Sequence, residues 1–89
     1  MQKSYLVRTA DVPAYQPANH HHTSNQRLIG PETVGAQQME VLLGTLHKGG
    51  GALPHAHPGI EQACYLLEGA AHVEVAGQSF YMAPGDTCF

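Results

Sequence analysis

The chain has 89 residues, which is one small domain near the lower size at which a single core sustains a fold. It is 43% hydrophobic and only 12% charged, a globular composition, and net charge −3 with four Lys plus Arg leaves no basic patch for nucleic acid or anionic lipid. No apolar run approaches membrane-spanning length and the start Met1-Gln2-Lys3-Ser4-Tyr5 lacks a signal-peptide apolar core, so a soluble cytoplasmic protein with no membrane partner is expected.

Residues 1–38 read as irregular, because Pro13, Pro17, Pro31, Gly30 and Gly35 interrupt every candidate helix. Short extended pieces fit Tyr5–Arg8 and Gln26–Ile29. From Gln38 the pattern changes. Met39, Val41, Leu43 and Thr45 alternate with Glu40, Leu42, Gly44 and Leu46, as in a strand with both faces largely covered. Gly49–Gly51 reads as a turn, Leu53–His57 as a short strand, and Pro58-Gly59 as a second turn. Gln62–Glu68 predicts a strand and Gly69 a bend. His72–Ala76 predicts another strand, with Val73 and Val75 on one face. Ala76-Gly77-Gln78 closes a hairpin onto Ser79–Met82. Ala83–Asp86 is a turn and Thr87–Phe89 opens one more strand. Short strands at regular spacing, separated by Gly/Pro turns, predict an all-β sandwich or barrel.

Seven histidines in so short a chain favour metal, although exposed loop histidines are common. The informative group is His55-Ala56-His57, approached through Gly49-Gly50-Gly51 and followed by Glu61-Gln62. Histidines two apart on an extended strand point to one side, and a polar group after a short turn converges on the same point. Strand parity separates the two candidates for the third ligand. Gln62, Cys64 and Leu66 share one face; Glu61, Ala63 and Tyr65 share the other. Only one of Glu61 and Gln62 can point inward from a regular strand, and parity alone leaves both as candidates.

These residues resemble the cupins, small β-barrels of the jelly-roll, double-stranded β-helix type. The first motif of that family is a glycine, five residues, His-x-His, three or four residues, Glu, six residues and a glycine. Gly49, Gly50–Pro54 and His55-Ala56-His57 match it, and counting back from Gly69 puts Gln62 where most cupins carry glutamate. The strand Cys64–Gly69 and the hairpin ending Ala83-Pro84-Gly85-Asp86 resemble the inter-motif region. The resemblance covers roughly residues 36–89. It implies an irregular arm with short strands over 1–37 and a barrel core over 38–89. Within the core, the first motif occupies 49–69, the inter-motif hairpin 70–84 and the start of a second motif 85–89. The second-motif histidine, the fourth ligand, would fall after Phe89, as would the closing strands. The barrel is therefore expected to be incomplete at its C-terminus, either as a fragment or as a chain that completes itself against a second copy in a homodimer.

The resemblance implies one divalent ion (Zn, Fe, Ni or Mn) held by His55, His57 and Gln62. A neutral amide leaves that site one negative charge short of a 2-His-1-carboxylate set, which raises Lewis acidity. Some cupins carry glutamine here, and they include proteins that open sugar rings and polyketide cyclases, both using metal without redox turnover. The expected activity is accordingly isomerisation, ring opening or cyclisation of a small organic substrate such as a sugar acid or polyketide. Glu61, or a histidine of His20–His22, is the candidate for proton transfer. Two other readings stay open: a dioxygenase using Fe or Ni with Glu61 as ligand, and a non-catalytic ligand-binding or regulatory module.

The remaining features carry blander expectations. His20-His21-His22 reads as a solvated loop, or else as a segment over the barrel mouth. His47 and His72 read as surface positions or supports of the ligands. Cys64 and Cys88 are too few for a disulfide scaffold and read as free thiols and small core hydrophobes. A structural zinc site from His55, His57, Cys64 and Cys88 follows no zinc-finger spacing. Tyr65, Leu66, Phe80 and Tyr81 read as core. Gly49–Gly51 lacks the Gly-Lys-Ser/Thr and helix of a phosphate loop.

Overall fold

The computed structural model describes residues 4–54 and 56–89. Among them six strands run in chain order: β1 (His20–Ile29), β2 (Val41–Ala52), β3 (Cys64–Tyr65), β4 (Ala71–Val75), β5 (Gln78–Met82) and β6 (Thr87–Cys88). The helical content of the described residues is one 3-10 turn, Thr9–Asp11. The architecture is all-β, with antiparallel pairs β1–β2, β3–β6 and β4–β5. Contacts divide the chain into two compact units, Met1–Pro54 and His55–Phe89.

In the first unit, β1 and β2 form a long ribbon, and β1 begins at His20 rather than at Gln26. The polar sequence His20–Arg27 has no apolar alternation to announce a strand. Its order comes from distant partners. Ser24 to Arg27 sit opposite Thr45 to Leu42, and Tyr15 and Asn25 exchange backbone N–H···O bonds of 2.9 and 2.7 Å. Gln26 Nε2 donates to the carbonyls of Thr9 (3.0 Å) and Val12 (2.9 Å), which ties the 3-10 turn to β1. The segment read as a solvated His20–His22 loop is therefore strand, with His20 opposite Ala52 and His21 opposite Gly51.

The glycine triplet is not a turn between two strands; β2 runs through it. His21 pairs with Gly51 but Thr23 with Leu46, so His22 alone faces the stretch His47–Gly50 in an extended bulge. His22 has φ 51° and Gly49 φ 79°, and a Cβ on Gly50 would run into the carbonyl oxygens of His22 and His47. The expected Leu53–His57 strand is correspondingly absent among its described residues. The ribbon is further pinned by Arg27. Its Nη1 lies 3.1 Å from Glu32 Oε1, its Nε lies 2.8 Å from Glu40 Oε2, and the guanidinium sits 5.8 Å from the Tyr15 ring centroid. The hydrogen bond and charge of Glu32, joined by Glu40 and Tyr15, hold the Arg27 pKa above its ordinary value.

In the second unit, β4 and β5 make an amphipathic hairpin. Ala71 faces Met82 and Val73 faces Phe80 in register, and these four form its sheltered side, with Met82 buried. Val75, opposite Gln78 beside the turn, is more exposed than Val73. His72 lies opposite Tyr81 on the other side, with ring centroids 4.8 Å apart and Nε2 2.5 Å from Ser79 Oγ. Ala76 (φ 50°) and Gly77 (φ 78°) form the two-residue loop, a type I′ turn whose twist matches the strands. β3 and β6 are short: Cys64 faces Cys88 and Tyr65 faces Thr87. The strand expected over Gln62–Glu68 is confined to Cys64–Tyr65. Tyr65 and Tyr81 are 62% and 80% exposed, not core, because a two-stranded sheet offers them no second layer within their own unit.

Candidate metal site and cupin motif

His55, the first predicted ligand, lies outside the described residues. His57 is followed by Pro58-Gly59, and the Ile60 N–H donates to the His57 carbonyl at 3.3 Å. Proline at the second position and Gly59 at φ 83° in the third make this a type II turn; a side chain at Gly59 would be strained in that conformation. The turn reverses the chain directly after His57 and ahead of Glu61 and Gln62.

His57, Glu61, Gln62 and Cys64 are all exposed. Exposure therefore does not choose between Glu61 and Gln62, and parity cannot be read there either, since residues 61–63 are not strand. Among the described residues no group of three His, Cys, Asp or Glu side chains gathers around one point. Of the predicted set His55, His57 and Gln62, only His57 is of those residue types among the described residues, the amide of Gln62 being of another kind. The chemistry of the donors does suit a divalent first-row ion. An imidazole nitrogen and a neutral amide oxygen on either side of a tight turn are both acceptable ligands.

Two features were hidden in the sequence. The first is the pairing of Cys64 with Cys88, which sequence reasoning treats as two separate buried hydrophobes. Cys64 is in fact exposed and Cys88 half-buried. Burial, followed by the charge and hydrogen bonding of Cys88, pushes the Cys64 thiol pKa up. Two cysteines each assigned to short strands were the available signal; their register was not. The second is a cavity of about 610 Å³ in the first unit, between Val12–Tyr15 and Arg27, Glu32 and Thr33. Its one cation, Arg27, is already engaged by Glu32 and Glu40.

No helix among the described residues is long and apolar enough to cross a membrane. No curated protein and no solved structure matches the chain. The family model for the cupin domain matches residues 42–89, which takes in the His-x-His motif, the Pro58-Gly59 turn, the β4–β5 hairpin and the cysteine pair. Over that stretch the motif spacing, the all-β architecture and the family match agree, and the chain belongs to the cupin family.

Proposed function

We propose that this cupin binds one divalent ion through His55, His57 and Gln62 and uses it as a Lewis acid on a small organic substrate. The observation that supports the reading is the type II turn at Pro58-Gly59, which separates His57 from a neutral amide, Gln62, at the motif position where most cupins carry a carboxylate. An ion held by two imidazoles and an amide keeps more of its positive charge than one bound to a carboxylate. It would polarise a carbonyl or hydroxyl oxygen rather than support redox turnover. Glu61, next to the amide in sequence and exposed, would move a proton to or from the bound substrate. Isomerisation, ring opening or cyclisation of a sugar acid or polyketide-like compound is the chemistry that needs only these parts.

Elemental analysis after loading with zinc, iron, nickel or manganese tests the ligand set. Wild-type chain should retain about one ion, H55A/H57A should lose it, and Q62A should lose at least about tenfold in affinity. E61A should keep the metal and lose turnover. Unchanged metal in H55A/H57A would remove the proposal. Metal lost from E61A but kept in Q62A would transfer the ligand role to Glu61. Oxygen consumption with ferrous iron and a catechol or thiol would then favour a dioxygenase.

A further inference from the structure

We infer that Cys64 and Cys88 form a reversible cross-strand disulfide, a thiol–disulfide exchange site that locks β3 to β6. The two residues are direct partners in the antiparallel register. The Leu66 N–H donates to the Asp86 carbonyl at 3.0 Å, so alternation along the ladder makes Tyr65/Thr87 the non-hydrogen-bonded pair and Cys64/Cys88 the hydrogen-bonded one. Cα atoms of such a pair lie about 5.5 Å apart, within the span that a disulfide bridges. Cys64 is exposed, open to an incoming reagent, while its partner Cys88 is half-buried.

The chemistry closes with a low-molecular-weight disulfide such as oxidised glutathione as the oxidant. Cys64 Sγ attacks one glutathione sulfur and gives up its proton. One glutathione leaves and is protonated, and a mixed disulfide remains on Cys64. Cys88 Sγ then attacks Cys64 Sγ, the bond to the second glutathione breaks, and that glutathione leaves as a thiol with the Cys88 proton. Two protein thiols are oxidised and one small disulfide is reduced to two thiols.

The bond would also be labile. Directly opposed Cβ atoms stand about 4.5–5.5 Å apart, whereas a disulfide draws them to about 3.5–4.5 Å. Closure therefore loads strain on two strands of two residues each. Strained, accessible disulfides belong to the reducible, regulatory class. None of this involves the metal ligands, so the inference stands apart from the Lewis-acid reading.

The test treats the full chain, in chelator, with oxidised glutathione and then an alkylating reagent. Intact mass, peptide mapping and a non-reducing gel are read. The expected product has lost both alkylatable thiols, retains no glutathione, weighs two hydrogens less and runs as a single chain. Reduced glutathione should restore both thiols. C64S and C88S should each hold glutathione on the remaining cysteine. A wild-type chain that keeps glutathione adducts, or that cross-links to a second chain, would overturn the inference.

Discussion

Gly50 shows how much one side chain decides in this fold. A glycine triplet between apolar segments looks like a turn, since nothing in the local sequence separates a turn from a bulge. In the structure the triplet is crossed by β2, and Gly50 lies where a Cβ would sit 2.8 Å from the His47 carbonyl oxygen and closer still to that of His22. Backbone has no flexible end to move aside, so a methyl group there must displace one strand. Gly50→Ala should cost about 1–3 kcal/mol, the range for overpacking, read as a lower midpoint in thermal denaturation by circular dichroism. A wild-type midpoint would show that the bulge yields. The cysteines illustrate a different residue-scale limit. Hydropathy ranks Cys64 with core residues, yet its position in an edge-like two-residue strand leaves it exposed.

Among the elements, the β4–β5 hairpin was legible almost to the residue. Val73 and Val75 on one face, a turn at Ala76-Gly77-Gln78 and the return Ser79–Met82 are all local signals, and the strands differ from them by one residue, running Ala71–Val75 and Gln78–Met82. Its weak point is Ala76, an L-residue with a side chain held at φ 50°. Left-handed backbone costs a residue with a Cβ about 1–2 kcal/mol, and asparagine is the natural occupant of this type I′ position. Ala76→Asn should raise stability by roughly 0.5–1 kcal/mol, checked by the denaturant midpoint at unchanged slope. No change would mean that the turn is already relaxed by its neighbours. β1 lies at the other extreme. His20–Arg27 carries no alternation, and its strand state is conferred by β2, by the Tyr15–Asn25 exchange and by Gln26 clasping the Thr9 and Val12 carbonyls.

At the scale of the molecule, the described residues bury little apolar material. Met82 is the buried hydrophobic side chain, while Val41, Leu42 and Leu46 in the first unit and Tyr65, Leu67, Tyr81 and Phe89 in the second remain exposed. We propose that a second copy covers these faces. Sedimentation equilibrium should then give a mass of two chains, with Leu46→Glu or Tyr65→Glu shifting it toward one. A monomer at every concentration would defeat the dimer.

The sequence by itself determined the all-β class, the cupin spacing from Gly49 through His57 to Gly69, a turn at Pro58-Gly59 and the β4–β5 hairpin. Each rests on residues close in the chain, whose backbone preferences act without outside help. Only the tertiary structure decided that polar His20–Arg27 is a strand, that β2 passes through the glycines, and that Cys64 meets Cys88. Those outcomes depend on partners roughly 15 to 30 positions away, and pairing at that range is set by register rather than by any local preference.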